Sequence, residues 1–320
     1  MVAPIEHGGE LAKAIAQYGG TPEEWLDLST GINPNPYPIP ELPIAAYHRL
    51  PEAHAVASLE DAARFVYGCG PDLEIVAAPG TQALIQLLPR LQPLSNVSIV
   101  SPTYGEHEHC WKLAGHRILR IPQPEPADIL VVASPNNPDG RDWSTEYLSS
   151  LARLVIIDEA FRDTTPSGDV PPDHATNVIV LRSFGKFFGL AGLRLGFAIG
   201  PRNLIEPIRL AIGPWAVSGP ACSIATRALH DAEWINRTRN ELERSSEDLE
   251  NTLSAAGCRT VGRTSLFITV ERGDAADLAV TLAKRRILVR SFAYAPTWLR
   301  FGLPADEAAR DRLQHALAHA

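Results

Sequence analysis

Six short apolar runs punctuate the first two thirds of the chain and constrain its fold more than any other feature. They are Leu73–Ala77, Val97–Val100, Ile129–Ala133, Leu154–Ile157, Val178–Leu181 and Leu195–Ile199, rich in Val, Ile and Leu and without polar alternation. Runs of this kind belong to strands covered on both faces. Stretches of helical period separate them, at Leu59–Tyr67, Gln82–Leu91, Glu106–Leu113 and Tyr147–Leu151. A Ser58/Asp61 pair that looks like a capping box opens the first. Strand–helix alternation predicts an α/β domain on a mostly parallel sheet.

The pattern changes after Pro214. A long polar helix is expected from about Glu233 to Ala256, stopped by Gly257. Short strands at Leu266–Val270 and Ile287–Arg290, a helix at Asp274–Arg285 and a closing helix from Asp306 predict a smaller α+β domain. The opening residues, with Gly19-Gly20 and Asn33-Pro-Asn-Pro36, are expected to form an arm that contributes to that smaller domain. The predicted division is 1–45 for the arm, 46–215 for the large domain and 216–320 for the small one.

Composition narrows the function classes. A chain of 320 residues exceeds one minimal core. Its net charge of −8 disfavours nucleic acid and anionic membranes as partners. No apolar run approaches the roughly 18 residues of a membrane helix, and Met1–Glu10 has neither the basic nor the apolar segment of a signal peptide. Cys69, Cys110, Cys222 and Cys258 lie far apart, as expected of reduced thiols in a cytoplasmic protein. No metal site is expected: His107 and His109 fall in a helical stretch, where i, i+2 side chains do not face each other. Lys284-Arg-Arg286 ends a helix, where cations are favoured by the dipole.

Three motifs close apolar runs in order. Ala133-Ser-Pro-Asn-Asn137-Pro-Asp-Gly140 follows one run, Asp158 ends the next, and Arg182-Ser-Phe-Gly-Lys186-Phe-Phe-Gly-Leu-Ala-Gly-Leu-Arg194 follows a third. Open α/β sheets assemble ligand sites at the carboxyl ends of their strands. An asparagine, an aspartate and a lysine can therefore converge on one crevice.

In these motifs the chain resembles the fold-type-I enzymes dependent on pyridoxal phosphate (PLP), the aspartate-aminotransferase superfamily, from His7 to Arg300. Within it the chain is most similar to histidinol-phosphate aminotransferases and to the threonine-phosphate decarboxylases of cobalamin biosynthesis. The narrower likeness rests on His7-Gly-Gly9 and Leu28-Ser-Thr-Gly-Ile-Asn33-Pro.

The resemblance implies roles for particular residues. Lys186 is the Schiff-base lysine, poised to move protons at Cα. Asp158 keeps the pyridine nitrogen protonated, and Asn137 donates to the ring hydroxyl. Gly80, Thr81 and Gln82, opening a helix, hold the cofactor phosphate with Ser183 and Arg194. Tyr104 stacks on the ring. Arg300 takes the substrate carboxylate through a bidentate fork, Arg290 serves a substrate phosphate, and His7 and Asn33 close over the substrate.

Two departures stand out. Phe161 occupies a position where many relatives have a tyrosine donating to the ring oxygen, which phenylalanine cannot do. Leu50, in Arg49-Leu-Pro51, replaces a tyrosine that in relatives reaches the partner subunit's cofactor phosphate. The resemblance implies a homodimer that decarboxylates L-threonine O-phosphate. An aminotransferase of the histidinol-phosphate type and a catalytically silent binding partner are the alternatives. Both chemistries share every cofactor contact, so motifs leave that choice open.

Overall fold

The computed structural model describes residues 8–165 and 175–319. They fall into two compact units. The larger comprises Pro36–Asn137 and Arg141–Arg237; the smaller comprises the described residues up to Asn35, Pro138–Gly140 and those from Thr238 onward. These divisions differ from breaks at 45 and 215. Tyr37 stays with the larger unit because its N–H donates to the Phe188 carbonyl (2.9 Å) and its ring packs edge-on against Trp234 (5.1 Å). The later division falls inside a single helix, Ala232–Ala255, where composition gives no break.

Along the chain the strands are β1 (Leu26–Asp27), β2 (Leu73–Ala78), β3 (Asn96–Val100), β4 (Arg117–Ile121), β5 (Ala127–Ala133), β6 (Ala152–Asp158), β7 (Val178–Ser183) and β8 (Gly196–Pro201). They continue as β9 (Arg259–Thr264), β10 (Phe267–Glu271), β11 (Ile287–Leu288), β12 (Arg290–Phe292) and β13 (Ala295–Gly302). Among the described residues the larger unit holds a seven-stranded sheet in the order β2-β8-β7-β6-β5-β3-β4. It is parallel except at β8, which runs antiparallel to both neighbours.

All six apolar runs are strands of this sheet. Every residue of β7 is buried, as are the last five of β5 and of β6. Val76, Ile99, Val131, Ile156, Ile179 and Trp111 belong to one hydrophobic cluster of this unit. β4 escapes the sequence pattern because it is an edge strand whose Arg117 and Arg120 face water, a charge placement that discourages further pairing. The first long helix begins at Ala53 with Glu52 as its cap, so the Ser58/Asp61 pair lies inside a helix and caps nothing.

The smaller unit contains the antiparallel sheet β12-β13-β10-β9 and a parallel pair of β1 with β11. The run expected at Ile287–Arg290 divides between β11 and β12. The long helix ends close to its expected stop, with Gly257 in the left-handed region at φ 79°.

A buried ionic cluster fixes the ends of β6 and β7. Nε of Arg182 lies 2.9 Å from Oε2 of Glu159, and Nη1 donates to Oδ1 of Asp163 at 2.9 Å. The guanidinium also lies over the Tyr67 ring, 4.9 Å from its centroid. Removing one partner from a buried charge network leaves the others uncompensated, at a cost of about 3–5 kcal/mol. Arg182→Leu is therefore expected to lower the urea midpoint by that equivalent. A variant as stable as wild type would show that the two carboxylates do not depend on Arg182.

Candidate active site

Register brings the strand ends of the larger unit level with one another. Ala133 of β5, Asp158 of β6 and Leu181 of β7 pair across the parallel strands. On the other side Ser183 of β7 and Ala78 of β2 both pair with Gly196 of β8. A β-carbon on Gly196 would stand 2.7 Å from the backbone nitrogen of Thr81, so only glycine lets β8 pass this close to the helix Thr81–Leu87. Ser183 and Thr81 thus both adjoin Gly196.

Gly80 precedes that helix with φ 85°, a conformation that favours glycine. A β-carbon there would stand 2.8 Å from Nη2 of Arg194. The guanidinium therefore rests against bare backbone. Arg194, itself left-handed at φ 53°, is steadied by a hydrogen bond from Nη1 to the Ala191 carbonyl (3.0 Å).

Asp158 is buried and doubly engaged. His107 Nε2 lies 2.9 Å from Oδ2, and Oδ1 accepts from the Ala160 N–H at 3.1 Å. His107 is not among the cofactor candidates read from the sequence, yet it contacts one of them. Its signal is its place three residues after Tyr104, on the same side of the helix Gly105–Leu113. The two rings meet edge to face, with centroids 6.1 Å apart.

Lys186 sits among buried aromatics. Phe184, Phe187 and Phe188 flank it, with Phe184 stacked on Phe188 (4.3 Å) and Phe188 stacked on Trp234 (5.6 Å). A β-carbon at Gly185 would stand 2.8 Å from Cα of Ala191, so the helical turn Phe184–Phe187 packs tightly against the backbone that follows it. These anchors leave Lys186 half-buried, its Nζ 5.8 Å from the centroid of Phe161.

The paired asparagines divide their tasks. Asn136 is buried, donating from Nδ2 to the Pro102 carbonyl (2.9 Å) and accepting from Thr103 Oγ1 (2.7 Å), which holds the Tyr104 loop. Asn137 beside it is half-buried. Gln82 departs from a simple phosphate contact. Its side chain accepts from the Tyr104 hydroxyl (3.1 Å) and donates to Glu106 Oε2 (2.9 Å), leaving its backbone for an anion. Burial first, then Glu106 and Asp158, raise the pKa of the Tyr104 phenol.

The remaining candidates belong to the smaller unit. Arg290 of β12 and Arg300 of β13 are cross-strand partners. Arg290 lies over the Phe292 ring and Arg300 over the Phe267 ring, at 5.5 and 5.2 Å. Arg300 is buried and donates from Nη2 to the Ser29 carbonyl (2.7 Å). Burial first, and Arg290 second, push its pKa down to about 10. Asn33 is buried, its Oδ1 accepting from the Asn35 N–H (2.9 Å). His7 lies outside the described residues. Leu50 is exposed on the larger unit.

Among known proteins, the chain is 44% identical to a threonine-phosphate decarboxylase of Sinorhizobium sp, with 99% of each chain covered. It is 42% identical to a threonine-phosphate decarboxylase of Pseudomonas aeruginosa, over 98% of this chain and 97% of that one. The solved structure of a histidinol-phosphate aminotransferase from Clostridium acetobutylicum shares the fold, with TM-score 0.78 and 20% identity over 92% of this chain and 98% of that one. The family model described as "Aminotransferase class I and II" matches residues 40–317. That match takes in every strand from β2 onward, and the chain belongs to the aminotransferase class I and II family.

Proposed function

We propose that this chain is a PLP-dependent carboxy-lyase that converts L-threonine O-phosphate to aminopropanol phosphate, the step the sequence likeness connects with cobalamin biosynthesis. The observation that carries the substrate class is the arginine pair. Like charges directly opposite on neighbouring strands destabilise a sheet, yet Arg290 and Arg300 occupy that register, one of them buried. Two guanidinium groups side by side on neighbouring strands suit a substrate that carries two anionic groups. The near-full-length likeness to two proteins named threonine-phosphate decarboxylase supports the same substrate and favours loss of carbon dioxide over amino transfer.

The strand-end residues of the larger unit fit PLP. Gly80 leaves room for the Arg194 guanidinium beside the Thr81 backbone, as a phosphate requires. Ser183, Thr81 and Gln82 would complete that cradle, with Asn137 placed to hold the ring oxygen and Tyr104 to stack on the ring. Asp158, buried and held by His107, stabilises a protonated pyridine nitrogen. When bound, PLP supplies an electron-withdrawing ring for the pair released at Cα. Arg290 binds the substrate phosphate and Arg300 its carboxylate, with His7 and Asn33 completing the substrate set. Lys186 returns a proton to Cα once the Cα–carboxylate bond has broken and carbon dioxide has left.

Arg290→Ala tests the assignment. A charge-assisted hydrogen bond contributes roughly 1.5–3 kcal/mol, so kcat/KM for threonine phosphate is expected to fall by about one to two powers of ten. Activity on unphosphorylated threonine, expected to be weak already in the wild type, should stay put. An equal loss on both substrates would remove Arg290 from phosphate recognition.

The same reading makes the protein a cytoplasmic homodimer. Ile44, Tyr47 and Leu50 project into solvent from one short segment of the larger unit, an apolar surface that a second copy would cover. No described helix is long and apolar enough to cross a membrane. Sedimentation of the purified protein tests the dimer, and a monomer at micromolar concentration would refute it.

A further inference from the structure

Glu106 has no role in the reading above, yet it closes a chain of hydrogen bonds that ends on Tyr104. Gln82 Nε2 donates to Glu106 Oε2 at 2.9 Å, and the Tyr104 hydroxyl donates to Gln82 Oε1 at 3.1 Å. The direction of this chain is chemically forced. A carboxylate only accepts, so the amide nitrogen of Gln82 must face Glu106 and its oxygen must face Tyr104. Tyr104 has one hydroxyl proton, which is then committed to Gln82. With a group at position 106 that cannot accept, the amide could turn over and release that proton.

The same residues sit where the rigidity would be used. Tyr104 caps the helix Gly105–Leu113, and Gln82 belongs to the first turn of the helix Thr81–Leu87. The chain therefore ties the aromatic platform to the segment beside Arg194, while His107, edge-on to the same ring, holds Asp158. We propose that Glu106 is a positioning residue which, through Gln82, fixes the hydroxyl of Tyr104 and with it the tilt of the ring against which PLP stacks. This rests on the PLP reading above.

The test is a double-mutant cycle on the purified holoenzyme, read by PLP dissociation and by the visible circular dichroism of the bound cofactor. A net hydrogen bond of about 0.5–1.5 kcal/mol corresponds to roughly a two- to tenfold change. Glu106→Leu and Gln82→Leu are each expected to raise the PLP dissociation constant by about that factor and to lower the dichroism per bound cofactor. Glu106→Gln, whose amide oxygen still accepts from Gln82, is expected to remain close to wild type and to control for folding. In a Tyr104→Phe background, Glu106→Leu is expected to add nothing, because the hydroxyl it acts through is gone. An equal effect of Glu106→Leu in both backgrounds, or no effect in either, would overturn the proposal. A wild-type protein that takes up no PLP would overturn the cofactor reading instead.

Discussion

Lys186→Ala is expected to abolish covalent cofactor attachment and to reduce turnover by about 10²–10⁴-fold or more, the contribution of a positioned proton donor and acceptor. The chain has four lysines, so the assignment is discrete. Lys13 and Lys112 are exposed and sit beside glutamates on helix surfaces, and Lys284 ends a helix of the smaller unit. Lys186 alone follows a buried strand of the larger sheet, in the one-turn helix Phe184–Phe187 among three buried phenylalanines. Borohydride reduction of the wild-type holoenzyme followed by peptide mapping should label Lys186, and Lys186→Ala should carry no label. A label on another lysine would move the centre elsewhere.

Asp158→Asn is expected to keep the fold and lose about a hundredfold or more in kcat. The substitution is nearly isosteric, and the amide oxygen can still accept the Ala160 N–H. What disappears is the negative charge in a buried site, and a preorganised electrostatic partner commonly contributes 10² or more in rate. Turnover and cofactor occupancy should be measured together. Near-wild-type turnover at full occupancy would show that Asp158 does not face the pyridine nitrogen.

The parts of this fold legible in the sequence are those where burial leaves one chemical choice. Strands β5, β6 and β7 are covered on both faces, so they appear as unbroken Val, Ile and Leu. β4, β9 and β13 carry arginines and exposed positions, which blur the apolar pattern that marks a buried strand. The helix Arg202–Ile212 contains Pro207, which ordinarily argues against a helix interior.

The site divides the same way. Lys186, Asp158 and Arg194 stand in strand-end motifs that are local in the chain. The pairings around them are not local. The His107–Asp158 contact joins positions 51 apart, and Gln82 reaches Glu106 across 24. Such contacts become visible only once the sheet brings its loops together. The Arg290–Arg300 register depends on the bend between β12 and β13 and on an irregularity at Ser291/Phe292, which no periodicity announces.

Incubation of the PLP-loaded protein with L-threonine O-phosphate, with and without a 2-oxo acid, tests the central claim most directly. The account predicts carbon dioxide release that needs no acceptor, with much weaker release from unphosphorylated threonine. Acceptor-dependent conversion of histidinol phosphate, with no carbon dioxide from threonine phosphate, would contradict it and establish an aminotransferase.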